Sequence, residues 1–162
     1  MDAVKKRLDQ ALSAICITLF AFLVLLVTWQ VITRFILNNP SVVSEELAKY
    51  CFVWLVMFGS AIVFGGEKGH MAVEVVKDKF PQGLKAVNEI VIEALNMVFA
   101  LFVLLIGGFI AAELAWTQMN ASLQIPIGYL YAVMPVSGLC ILFYCTYNIY
   151  QTVQTRKKVK TE

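Results

Sequence analysis

Residues 114–155 read LAWTQMNASLQIPIGYLYAVMPVSGLCILFYCTYNIYQTVQT, 42 residues without one Asp, Glu, Lys or Arg. One bilayer crossing needs roughly 20 apolar residues in a helix. The tract therefore holds the end of one span and the whole of another, divided by the polar stretch with Asn120, Ser122, Gln124 and Pro126. Working outward, Ala94–Ala112 is uncharged for 19 residues, Tyr50–Gly66 for 17 and Ala11–Thr33 for 23. The reading is an all-α integral membrane four-helix bundle, with spans near 11–37, 43–66, 83–114 and 126–150. Hydrophobic residues make up 60% and charged ones 15%, against roughly 45–50% and about 25% in soluble domains. Four spans and short links use nearly all 162 residues as one transmembrane domain, leaving no room for a soluble catalytic or ligand-binding domain.

Lys5-Lys6-Arg7 before the run from Ala11 looks like a signal-peptide start. The run is longer than an h-region of about 7–15 residues and lacks a clear Ala-x-Ala site, so it is read as a retained first helix. Lys5, Lys6 and Arg7 precede span one. Arg156, Lys157, Lys158 and Lys160 follow span four, and Lys68, Lys77, Lys79 and Lys85 lie between spans two and three. Only Arg34 and Lys49 fall on the other side, so the basic residues divide 11 to 2. The positive-inside rule then puts both termini and the middle loop in the cytoplasm. Tyrosines at both ends of span four fit an interfacial belt.

Asn38-Asn39-Pro40 ends the first helix, because proline disfavours helical geometry in the residue before it. Ser41 or Ser44 caps the second, whose first turn carries Glu45 and Glu46, where the helix dipole favours carboxylates. Glu45 and Lys49 are four apart in the favourable order. Small residues mark close-packing faces, Ala61/Gly65 in span two and Gly107/Ala111 and Gly108/Ala112 in span three. Met71–Val76 mixes apolar residues with Glu74 and is compatible with lying along the membrane surface. Span three exceeds 30 residues, roughly 45 Å at 1.5 Å per residue, and should tilt or project into the cytoplasm. Pro135 falls inside span four as a kink candidate.

Missing chemistry narrows the function. His70 is the single histidine, so neither a bis-histidine haem nor a multi-histidine metal site forms within this chain. No Ser/His/Asp set, phosphate loop or H-E-x-x-H motif occurs. No catalysis, cofactor, metal or nucleic-acid partner is expected. Cys16, Cys51, Cys140 and Cys145 lie in or beside apolar tracts without a C-x-x-C pair and read as small packing residues. A self-contained multidrug-type exporter needs a carboxylate inside span one, and Ala11–Thr33 has none. Glu93 and Glu113 read as carboxylates near the two interfaces.

Several pieces together resemble the DctQ-like small membrane subunit of tripartite ATP-independent periplasmic (TRAP) transporters. They are Arg34-Phe35 before Pro40; Ser44-Glu45-Glu46-Leu47-Ala48; Trp54, Phe58 and Gly59; Gly69-His70-Met71-Ala72-Val73-Glu74, similar to the family's G-x-H-x-x-V-D element, with Phe80-Pro81 following; and Ser122-Leu123-Gln124-Ile125-Pro126, matching S-x-x-I-P. Glu74 stands where the family often has Asp. Order and spacing carry the resemblance, which covers essentially the whole chain.

The resemblance implies a non-catalytic subunit of a bacterial inner membrane, surrounded by membrane lipids. It pairs with a large multi-span subunit that works as an elevator. A periplasmic substrate-binding protein delivers an organic acid of the sialic acid or C4-dicarboxylate class for sodium-coupled uptake. Trp54, Gly59, Glu93 and Gly108 are expected at the large-subunit interface, and Glu45 and Glu46 at the periplasmic docking surface. Gly69, His70, Glu74 and Pro126 belong to the family-motif loops. A structural subunit of some other membrane complex stays open as an alternative.

Overall fold

The computed structural model describes residues 2–65 and 82–159. Gly69, His70, Glu74 and the expected surface-lying segment lie outside the described residues. Helix α1 covers Asp2–Phe35, α2 Val42–Gly65 and α3 Gln82–Phe99. A π-helical segment, Ala100–Gly107, continues α3 into α4, Gly108–Trp116. Helix α5 is Gly128–Tyr131 and α6 is Val133–Val159. Among the described residues, four stretches are long and apolar enough to cross a membrane, namely Ala3–Phe35, Val42–Gly65, Ile90–Trp116 and Gly128–Gln154. The chain is an all-helical, multi-pass membrane protein.

Local chemistry explains the helix ends. At the end of α1 the Ile36 and Leu37 amides both return to the Ile32 carbonyl, and the Asn39 amide donates to Thr33 O at 3.0 Å. Asn38 takes φ of 50°, a left-handed position that asparagine tolerates better than most residues. Ser41 is the cap of α2: its Oγ accepts the Ser44 amide at 3.4 Å, while the Ser44 hydroxyl donates to Ser41 O at 2.9 Å. In span four the helix breaks at Ala132, between α5 and α6. That lies one turn before Pro135, which has no N–H to give to the carbonyl four residues back.

Span four is the hub. It packs against span two on one side and span three on the other, while α1 pairs chiefly with α2. The fourth-span window is 39% buried within the chain and the first-span window only 6%, so α1 is the peripheral helix. The core joins Leu12, Phe58, Ala61, Ala100, Leu104, Val133, Ile141, Tyr144 and Cys145. All four cysteines are free thiols, with Cys51 and Cys145 fully inside.

Lipid offers no hydrophobic drive between helices, so spans associate through close contact and hydrogen bonds. Both are present. A Cβ built on Gly108 would lie 2.7 Å from Met134 Cβ and 3.0 Å from Pro135 Cδ, and one on Gly138 would lie 3.0 Å from Leu104 Cβ. These glycines let span four meet the π-helical segment and the start of α4 nearly backbone to backbone. At the end of the bundle that carries the termini, the Tyr144 hydroxyl donates to the Asp9 carboxylate. The Asn148 amide donates to Glu93 Oε1 at 3.0 Å and to Phe64 O at 3.2 Å, and Lys5 Nζ lies 5.0 Å over the Tyr147 ring. Four spans thus meet in one polar layer.

Gly108→Ala should cost about 1–3 kcal/mol of stability through overpacking. Gly59→Ala, whose Cβ meets nothing within 4 Å, should cost nothing. Thermal unfolding in detergent compares the two, and equal melting points would refute the close-contact account.

Candidate functional site

The end of the bundle opposite the termini carries the two short links, and most of the singled-out residues gather there. Glu45 sits in the first turn of α2, and Glu46 follows it. Glu46 Oε1 accepts from Lys49 Nζ at 2.7 Å, and Glu45 Oε1 lies 3.3 Å from the same ammonium. Glu45 is the more exposed, with 61% of its side chain open against 23% for Glu46. Lys49 therefore bridges both carboxylates and sits closer to Glu46 than to the i,i+4 partner that spacing favours.

Glu46 also reaches across the bundle. Its Oε2 accepts from Asn120 Nδ2 at 2.9 Å. Asn120 Oδ1 in turn accepts the Ser122 and Leu123 amides, both at 3.0 Å. The link between spans three and four closes on itself around this side chain. The Asn120 amide donates to Ile125 O at 2.9 Å and the Ile127 amide to Gln118 O at 2.8 Å, with a single antiparallel bridge between Met119 and Pro126. Gln124 adopts φ of 55° to make the turn. Pro126 comes just before α5, and its carbonyl accepts the Tyr129 amide at 3.3 Å. The Ser122–Pro126 motif is thus the frame of a small, internally bonded loop tied to α2.

Trp54 adds a second tie. Its indole N–H donates to Tyr129 O at 3.1 Å, and the Tyr129 ring stacks at a tilt on Trp116 with centroids 5.0 Å apart. Spans two, three and four are joined by these aromatics. Gly59 lies on a different face of α2, alongside the exposed Phe52, Val56 and Val63, and open space surrounds it.

Glu93 and Gly108 lie inside the chain's own bundle. Glu93 is 6% exposed, bonded by Asn148 and touched by the Cys145 thiol. A carboxylate in an apolar layer must be hydrogen-bonded, and span four supplies the donors. Gly108 is filled against by Met134 and Pro135. Sequence reasoning missed the partners Asn120, Asn148 and Asp9. The available signal was polar side chains in or beside apolar tracts, which must find bonding groups on neighbouring helices.

The site has the makeup of a rigid contact surface. No group of three or more His, Cys, Asp or Glu able to hold a metal occurs among the described residues. What the arrangement does is fix one carboxylate, Glu46, while leaving a neighbour, Glu45, free to face outward.

Asn120→Ala should leave the Ser122 and Leu123 amides and Glu46 without their partner, costing about 1–3 kcal/mol. Faster hydrogen exchange at residues 122–123 would register it. Combined with Glu46→Gln, the loss should be smaller than the sum of the two single losses; strict additivity would contradict the link.

The chain resembles known proteins over most of its length. Residues 23–155 match the family described as tripartite ATP-independent periplasmic transporters, DctQ component. It is 30% identical over 148 residues to the sialic acid TRAP transporter small permease protein SiaQ of Vibrio cholerae, covering 88% of this chain and 82% of that one. Two Haemophilus influenzae chains provisionally named TRAP transporter small permease proteins are 25% identical over 141 residues and 23% over 146. The matches cover 87% and 90% of this chain and 86% and 87% of theirs. The family comprises transport subunits rather than enzymes. With four membrane-crossing stretches and a family match spanning the motif series, this chain belongs to the DctQ family, the small permease subunits of TRAP transporters.

Proposed function

We propose that the protein is the immobile partner of a large elevator-type membrane subunit, and that it helps dock a periplasmic substrate-binding protein for sodium-coupled uptake of an organic acid. The carrying observation is the contrast between the spans. The inner three are fastened to one another by glycine contacts and polar ties, whereas the outer faces of α1 and α2 carry large apolar residues such as Phe20, Leu25, Phe52 and Val56 that the chain itself does not cover. A moving transport domain needs a wall that stays still. Long apolar spans joined into one bundle resist reorientation in the bilayer.

The partner contact best supported is the exposed α2 stripe of Phe52, Val56, Gly59 and Val63, where a glycine notch allows close helix approach. Trp54, on another face of the same helix, stiffens α2 through Tyr129. Glu93 and Gly108 serve that contact only indirectly, by holding the bundle together. The 11-to-2 division of basic residues supports cytoplasmic termini, which would put Glu45, Glu46 and the 117–127 link on the periplasmic side. The substrate class rests on the likeness to the Vibrio cholerae relative, whose name states sialic acid; C4-dicarboxylates are the alternative acid class.

The test uses the chain co-expressed with the large subunit. Gly59→Leu should weaken co-purification at unchanged melting temperature, since the position is open within the chain. Glu45→Lys should lower uptake supported by the binding protein while the membrane complex stays intact. Undiminished pairing by the first variant would remove the α2 stripe as the contact, and unchanged uptake by the second would remove the docking role.

A further inference from the structure

A cleft of about 380 Å³ opens between the end of α1 and the start of α2, lined among others by Gln30, Arg34, Phe35, Pro40, Ser41 and Glu45. Ser41 in this lining caps α2 and Glu45 meets Lys49, and three further features specify what the cleft fits.

First, its charges are complementary to a zwitterion. Arg34 has no carboxylate within 4.0 Å among the described residues, where the ion pairs belong to Lys49. The guanidinium instead lies 5.9 Å from the Phe35 ring centroid. Glu45, in the same lining, lies 3.3 Å from the Lys49 ammonium, and 61% of its side chain stays exposed to meet a second one. One cleft thus offers a planar cation suited to a phosphate and a carboxylate suited to an ammonium.

Second, the Gln30 side chain shares the lining. Its Nε2 is enclosed without a hydrogen-bond partner, a costly state that a turn of the side chain toward an acceptor in the cleft relieves.

Third, its lining continues into apolar surface. Phe35, in the lining, and Ile36 and Leu37, next along the chain, are 73%, 72% and 57% exposed, at the end of a helix long enough to cross the bilayer. A water-soluble ligand gains nothing from such a shelf. An amphiphile does, with its head in the cleft and its chains along α1.

We infer that this cleft binds the headgroup of a phospholipid carrying both a phosphate and a primary ammonium, that is, phosphatidylethanolamine. Arg34 and the Gln30 amide take the phosphate, and Glu45 takes the ammonium. The bound lipid fills the wedge between α1 and α2 where the two helices part, and anchors the peripheral α1 at that end.

The experiment is native mass spectrometry of the full chain, purified in mild detergent and stripped of lipid. It is then titrated separately with phosphatidylethanolamine, phosphatidylglycerol and phosphatidylcholine. Phosphatidylethanolamine should be retained in preference to the other two. Arg34→Gln should lower retention about tenfold, as for loss of one charge-assisted hydrogen bond. Glu45→Gln, an exposed and nearly isosteric change, should abolish the preference over phosphatidylglycerol while leaving phosphate-dependent binding in place. Equal retention of the three lipids, an unaltered preference in Glu45→Gln, or displacement by inorganic phosphate at equal concentration would each overturn the assignment. So would cross-linking from residue 34 to a periplasmic protein in whole cells with no lipid adduct. The readout is lipid mass on this chain alone, so it stands or fails separately from the transport reading.

Discussion

The hydrogen bonds that Tyr144 and Asn148 make to Asp9, Glu93 and the Phe64 carbonyl are the constraint on which the bundle depends. A lipid environment supplies no water to these groups, and an unsatisfied one is costly. Span four must therefore keep three other helices within bonding distance at this end. The glycine contacts at 108 and 138 then let it lie close to span three, and the Trp54 and Glu46 ties do the same work at the opposite end. Span four touches every other span because it carries the donors. The others are arranged around it, and α1 is left at the edge.

That arrangement bears on function through stiffness. Each end of the bundle has its own polar layer. Glu93, which the sequence places near a membrane interface, is bonded to Asn148 and Cys145. The break at Ala132 and the π-helical segment face one another across the Gly108 contact, so the two irregularities of the spans support each other. In the proposed role such a subunit contributes position and surface.

Much of the fold was legible because membrane spanning leaves a coarse signal. Charge-free tracts located all four spans, and Asn38–Pro40 marked the first turn, though α1 stops at Phe35 and begins at Asp2, ahead of the apolar run. Small-residue pairs located close packing but not its direction: Gly108 faces span four of its own chain, whereas Gly59 faces outward. The reason is that helical spacing defines a face without naming its neighbour. The bond from Asn120 to Glu46 spans 74 positions, and no local pattern encodes it. The Ser122–Pro126 motif carried the family likeness, yet its physical sense, a loop folded around the Asn120 side chain, appears only when the links meet in space.

The central claim is that this bundle is built to stand beside a larger membrane protein. The most direct test is to tag the C-terminus, solubilise native membranes in mild detergent and weigh what elutes by native mass spectrometry. The account predicts a near-equimolar complex with a large multi-span membrane protein. Elution of the chain by itself, or as a homodimer, under conditions that preserve other membrane complexes would contradict it.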